Sequence, residues 1–293
     1  HFSRIWRVQH KQAKALPAWK FDLKSPASVV RLLEHPNGWV RMTAHRLLSE
    51  QGPFFALQNL LDGIAPERPA MTRMHSMWVL NNVGRLDQNN LIACLNDNDP
   101  TLRKNALKLV SEDGAPKKAS GALGTAVRAT IRSTDARAQL NALLAMGNLE
   151  AAPEVADEIV GLWPELKDKH LQSAALGVAA NSPAIFVEAA FRAKDPAFLA
   201  DFVGHTVRIL AHKGDAAQVA AVVVLLSKQP ASADGLKQSA LETLATSLKA
   251  DVVPGWSGDL QAALGALLQS SRPGLPGAVL PLVARWDKNG AMS

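Results

Sequence analysis

Apolar residues recur along this chain at helical rather than strand spacing. Between positions 35 and 48, Val40, Ala44, Leu47 and Leu48 fall on one side of a helix, and Pro36, Asn37 and Gly38 form the turn before it. Asn37 is placed to cap that helix through its side-chain oxygen. The same order returns between 97 and 110. A polar turn, Asp97-Asn98-Asp99-Pro100, is followed by Leu102, Arg103 and, after two spacers, Ala106. A pattern that returns in this way marks a repeat protein.

Carried along the chain, the same reading predicts helices in pairs: 25–34 with 37–51, 53–61 with 69–83, 88–95 with 99–112, and 120–131 with 134–147. The later pairs are 153–163 with 165–180, 183–192 with 196–212, 216–227 with 233–248, and 258–269 with 274–285. Arg41 and Arg103 lie 62 positions apart, and Arg137, the next arginine in comparable context, follows 34 further on. Two-helix periods in the low thirties to forties suit an α-solenoid, in which stacked pairs bury what one pair cannot bury alone. The predicted fold is all-α, an α-solenoid of about eight such pairs over residues 25–293. Residues 1–24 precede it as an arm: 1–9 read as strand-like, and 10–24 as a basic linker whose Trp19 and Phe21 dock on the first repeat. Trp39 is expected to cover the exposed end of that repeat.

Composition supports helix. Alanine and leucine dominate, tyrosine is absent, and 47% of the 293 residues are apolar. Six basic residues in 1–24 face Asp22 alone, so this segment carries +5 of the net +6. A nucleic-acid-binding array would instead spread its cations along a groove or face. The lone cysteine, Cys94, allows no internal disulfide, and among Leu91, Ile92 and Leu95 it reads as a small buried hydrophobe. No apolar run reaches the roughly 18 residues that span a bilayer, so no membrane span is expected. The first residue is His1 and no signal peptide is visible, which suggests a mature fragment or a piece of a longer polypeptide.

Candidate chemistry is sparse. His75 and Trp78 share a helix face, with Asn82 one turn on; with Arg41 and His45 of the first repeat they form a possible interaction face. The same residues also read as a histidine and a tryptophan packed between repeats, and both readings stay open. No histidine or cysteine pair has chelating spacing, so neither a metal nor another cofactor is expected in this segment. Asp97-Asn98-Asp99 is no calcium loop, because Leu102 and Lys108 stand where glycine and glutamate are needed. Asp99 before Pro100 reads as a helix cap. No Ser-His-Asp order, phosphate loop or nucleotide fingerprint is found, so the segment has no catalytic constellation of its own.

Two resemblances follow from these residues. Asp97, Pro100, Leu102, Arg103 and Ala106 resemble the second-helix signature of HEAT repeats, which implies an Asp97–Arg103 ladder between neighbouring repeats; in the first copy His35 holds the aspartate place. Arg4-Ile5-Trp6-Arg7-Val8, residues 35–48 and Arg73-Met74-His75-Ser76-Met77-Trp78-Val79-Leu80 resemble the middle of planctomycete-type membrane-bound dehydrogenases. Those proteins join a quinoprotein-like β-propeller to HEAT repeats, often followed by a c-type haem domain. The resemblance implies a periplasmic sugar- or alcohol-oxidising parent, with the HEAT segment as a non-catalytic scaffold between its domains. This chain has no Cys-x-x-Cys-His, so the redox chemistry would lie outside it. The alternatives are a free-standing scaffold for a protein partner and a HEAT-like DNA glycosylase.

Overall fold

The computed structural model describes residues 11–12, 22–52, 54–112, 117–118, 121–288 and 290. The expectations for 1–9, Trp19 and Phe21 lie outside the described residues. Among the described residues the chain is all-α, with sixteen α-helices in eight successive pairs, which is the plan of an α-solenoid. It divides into two units, residues 1–86 and 87–293.

The first unit holds α1 (Pro26–Arg31), α2 (Gly38–Glu50), α3 (Leu57–Gly63) and α4 (Ala70–Asn82). Ser25 caps α1 by accepting from the Ser28 N–H, with Pro26 at the first helical position. Helix α1 packs on α3, and α2 packs on α4, giving two layers. Val29, Val30, Leu33, Ala44, Leu48, Leu60, Val79 and Leu80 fill the space between them. Each fully buried leucine here is worth about 1.5–3 kcal/mol. Gly63 is required by close approach: a Cβ at this position would lie 2.3 Å from the Ser76 hydroxyl oxygen on α4.

The second unit holds α5 (Gln88–Leu95), α6 (Pro100–Glu112), α7 (Ala122–Arg128), α8 (Ala136–Met146), α9 (Pro153–Leu162) and α10 (Lys169–Ala179). It continues with α11 (Pro183–Arg192), α12 (Ala200–Lys213), α13 (Ala216–Ser227), α14 (Asp234–Ser247), α15 (Gly258–Leu268) and α16 (Gly274–Trp286). One layer runs α6, α8, α10, α12, α14, α16, each helix packed on the next. In the other layer α5 meets α7, and α9, α11, α13 and α15 pack in succession. Arg128 of α7 bridges to α9 through Glu154 and Glu158, and Arg192 of α11 reaches Asp157 of α9. Several helices start later than the sequence reading has them: α3 at Leu57 rather than 53, with no side-chain cap, and α10 where a cap overrules apolar spacing. Helix α10 starts at Lys169 rather than 165 because Leu166 is extended and Asp168 accepts from the His170 and Leu171 N–H groups. A 3₁₀ turn over Pro196–Leu199 likewise delays α12.

The turn before the second helix is built the same way in the first and third pairs, whereas α4 of the second pair starts at Pro69 with no side-chain cap. His35 Nδ1 accepts from the Asn37 N–H, and Asn37 Oδ1 accepts from the Trp39 N–H. Arg41 Nη1 then donates back to the carbonyls of His35 and Pro36 at 2.7 and 2.9 Å. In the next signature copy Asp97 Oδ1 accepts from the Asp99 N–H, Asp99 caps α6, and Arg103 donates to the carbonyls of Asp97 and Asn98 at 2.6 and 2.9 Å. His35 therefore does with a ring nitrogen what Asp97 does with a carboxylate.

Two details of the sequence reading are corrected here. Arg103 meets the backbone carbonyl of Asp97 within its own turn, rather than the carboxylate of a neighbouring repeat. Arg137 is not the register equivalent of Arg41 and Arg103. Counting four residues from the Asp135 cap gives Gln139, whose Nε2 donates to the Ile131 carbonyl at 2.8 Å. Gln172, four beyond Asp168, reaches the Leu166 carbonyl, and Lys237 of α14 reaches the Gln229 carbonyl. Arginine, glutamine and lysine thus perform one task, holding turn carbonyls that water would otherwise satisfy.

A second set of bonds ties repeat to repeat at the far ends of these helices. Asn148 donates to the Val110 carbonyl at 2.8 Å, Asn181 to the Gly147 carbonyl, and Arg285 to the Leu248 carbonyl. Each satisfies a carbonyl left open at the C-terminus of the preceding helix of the layer. Beside the first of these, Lys117 pairs in parallel with Leu149, the Glu150 N–H donating to the Lys117 carbonyl.

Candidate functional site

Four polar residues on α4, Thr72, Arg73, His75 and Ser76, are buried, although the helix has an apolar layer available to it. His75 faces α2, where Arg41, His45 and Ser49 recur every fourth residue and so form one stripe. His45 Nδ1 and His75 Nδ1 lie 3.2 Å apart with their rings edge-to-face, 5.4 Å between centroids. At that separation one proton sits between the two nitrogens, so one ring donates and the other accepts. Asn82 Nδ2 lies 3.4 Å from His45 Nε2 and 3.4 Å from the Ser49 hydroxyl, which itself donates to the His45 carbonyl. A consistent assignment has Asn82 donating to His45 Nε2 and His45 Nδ1–H donating to His75.

Electrostatics keep this pair neutral. Desolvation first, then the neighbouring His45 and the Arg41 guanidinium, push the His75 pKa down to about 4. Burial also lowers the pKa of His45. Both rings are therefore uncharged at pH 7, and the Arg41 charge sits beside them without like-charge company.

On the side of these helices away from α1 and α3, apolar side chains stand beside the exposed Arg46–Glu50 pair. The His45–His75 contact fixes which way each helix is turned. At 100° per residue, Trp39 and Met42 of α2 and Met71, Met74 and Trp78 of α4 then fall on one common face. Trp39 is 73% exposed, Met42 58% and Met71 41%, while Met74 and Trp78 are half-buried. Trp39 therefore does not seat against the end of its own repeat, contrary to the expectation from sequence. Elsewhere in the unit Phe54 is exposed, with the Arg85 guanidinium stacked 4.6 Å above its ring.

Of the sequence-predicted face, His45, His75 and Asn82 are joined in one hydrogen-bonded seam, and Trp78 borders it. Arg41 is placed differently: its guanidinium is turned back to its own loop. Ser49 belongs to the seam and escaped the sequence reading, although the 41–45–49 spacing points to it. Met42, Met71 and Met74 were missed as well, since helical methionine reads equally as core. Among the described residues no group of three histidine, cysteine or carboxylate side chains is arranged to hold a metal ion. Cys94 is buried. The Ser49 hydroxyl donates to its own helix carbonyl, so it has no general base aligned to activate it.

No family model matches this chain. No curated protein matches it either. Among solved structures, an engineered protein is 16% identical, with 89% of this chain and 78% of that chain covered at a TM-score of 0.41. A designed armadillo repeat protein is 15% identical, with 88% and 98% covered at 0.37. A second designed armadillo repeat protein, solved in complex with the peptide (KR)4, is 13% identical, with 89% and 98% covered at 0.36.

Proposed function

We propose that this helical-repeat scaffold is a protein-interaction module, acting through the α2–α4 face and carrying no reaction centre. One observation carries the reading. The polar side chains of this face are spent on the turn before α2, the Arg46–Glu50 pair and the His45–His75 seam, whereas Trp39 and Met42 are left in solvent beside them. Tryptophan and methionine are enriched in protein interfaces, where they supply large apolar contact area.

The partner is a protein or a neighbouring domain of the same polypeptide, with no nucleic acid and no membrane span; no single described helix is long and apolar enough to cross a bilayer. The resemblance of residues 4–8, 35–48 and 73–80 supports a periplasmic sugar- or alcohol-oxidising quinoprotein as the parent, in which this segment orients a propeller against a haem domain. Two experiments test these statements. A photo-crosslinking amino acid in place of Met42, used in the native host, is expected to join the chain to one protein or domain; adducts no different from those formed at exposed Phe198 would refute the module. Reading the gene on both sides of this segment is expected to show a propeller upstream and Cys-x-x-Cys-His downstream. Finding neither would remove the dehydrogenase and leave a free-standing scaffold.

A further inference from the structure

We infer that the His45–His75 pair is a binding site for a soft monovalent metal ion, copper(I) in type, whose ligand set is completed by the thioethers of Met42 and Met71. The interaction module accounts for the apolar side chains beside the seam, but it gives no reason for two imidazoles to meet nitrogen to nitrogen. Spacing along the sequence does not announce the site, because its ligands come from two helices.

Distance is the first argument. Imidazole nitrogens 3.2 Å apart, each about 2.0–2.1 Å from one shared ion, subtend an angle of roughly 100–106° there. That is close to a tetrahedral angle, so the pair supplies two corners and leaves two to other ligands. The protonation state also suits an ion. Both rings are neutral at pH 7, and His75 already accepts through Nδ1. The proton that His45 holds on Nδ1 moves to its Nε2 as the ion takes its place. Asn82, 3.4 Å from that nitrogen, then turns its amide so that Oδ1 accepts the new N–H, and no charge is lost.

Ligand softness chooses the ion. Met42 lies three residues before His45 and Met71 four before His75, so each thioether starts one turn from a ring on the same side of its helix. Both side chains are exposed and unbranched, and three rotatable bonds let them swing to the remaining corners. Thioether together with imidazole selects copper(I) over calcium, magnesium or manganese, which take oxygen. Helix α4 has no carboxylate, and Glu50, the one carboxylate of α2, is paired with Arg46. The Arg41 guanidinium, near enough to act on His75, opposes a divalent ion twice as strongly as a monovalent one. Zinc is therefore the poorer fit.

The test titrates the full chain, carrying Cys94→Ala so that no thiol competes, with silver(I), which shares the charge and softness of copper(I). One ion is expected to bind with a Kd in the micromolar range or below. His75→Gln should weaken that event by more than the roughly tenfold that loss of an outer-shell partner costs. His45→Gln, at a half-buried position, should do the same and serves if His75→Gln does not fold. Met42→Leu/Met71→Leu, which keeps apolar volume at two exposed positions, should weaken it several-fold. X-ray absorption of the copper(I)-loaded chain should show nitrogen and sulfur neighbours together. No silver bound at about 100 μM, or histidine variants that bind like the parent, would overturn the inference and leave the pair a hydrogen bond only. So would an unaltered methionine variant, copper held by nitrogen alone, or zinc(II) that displaces an equal concentration of silver(I).

Discussion

The His45–His75 seam makes a sharp prediction about acid. His75 has a native pKa of about 4 against 6.5 when unfolded, so between those values the unfolded chain binds more protons than the native one. Stability contributed by neutral His75 is thus complete above pH 6.5 and is lost as pH falls toward 4. A shift of about 2.5 units corresponds to roughly 3.4 kcal/mol at most. The seam opens toward exposed Asn82 and half-buried His45, so solvent screening brings the expected loss to about 1–2 kcal/mol. The perturbation is His75→Gln, which keeps a polar group and removes the titration. The assay is hydrogen exchange of the 38–50 and 70–82 segments from pH 7 to 4.5, with a chelator present and intrinsic rates divided out. At neutral pH the variant should be the less stable protein. On acidification the parent should lose about 1–2 kcal/mol relative to it, a comparison that cancels the titrating groups that do not touch the His45–His75 pair. Parallel curves for the two proteins, or a parent that gains on the variant in acid, would show that the pair is not desolvated as described.

Three further outcomes follow from the packing. Gly63→Ala should cost about 1–3 kcal/mol in urea unfolding because of the Ser76 hydroxyl, and adding Ser76→Ala should return part of that loss. Arg103→Leu should cost about 1–2 kcal/mol by abandoning two turn carbonyls, whereas Arg103→Gln should cost clearly less, since Gln139 and Gln172 do the same work; equal costs would refute the latch. Asn148→Ala should cost about 1–2 kcal/mol and raise exchange at the C-terminal end of α6, where the Val110 carbonyl loses its donor; an unchanged rate there would count against the tie between repeats.

Most of the architecture was legible in the sequence because helix periodicity and capping are local. Ser25, Asn37 and Asp99 announce their helices within three residues, and each is seen capping. The later turns were harder to read for a chemical reason. The acceptors are backbone carbonyls, so Arg, Gln and Lys are interchangeable donors, and a search for recurring arginine slips from Gln139 to Arg137. The seam was legible only in part. The i, i+4 spacing collects Arg41, His45 and Ser49 on α2, yet which ring meets His75 depends on how α2 and α4 pack, 30 residues apart in sequence. Whether a methionine is core or surface depends on the same packing, as buried Met77 beside exposed Met71 illustrates.

The turn latches also bear on how the chain comes to be folded. Arg41, Arg103, Gln139, Gln172 and Lys237 bond to carbonyls five to eight residues away, and the ties between neighbouring helices, such as Asn148 to Val110, reach 38. Little loop-closure entropy is spent before such contacts form, so assembly can begin at any pair and spread to its neighbours. A chain of this kind is expected to emerge from the ribosome already partly ordered, each pair locking as the next is synthesised. Shortening it at the boundary of a pair should then remove one increment of stability at a time, where a cut through a latch would unravel the pair that it holds.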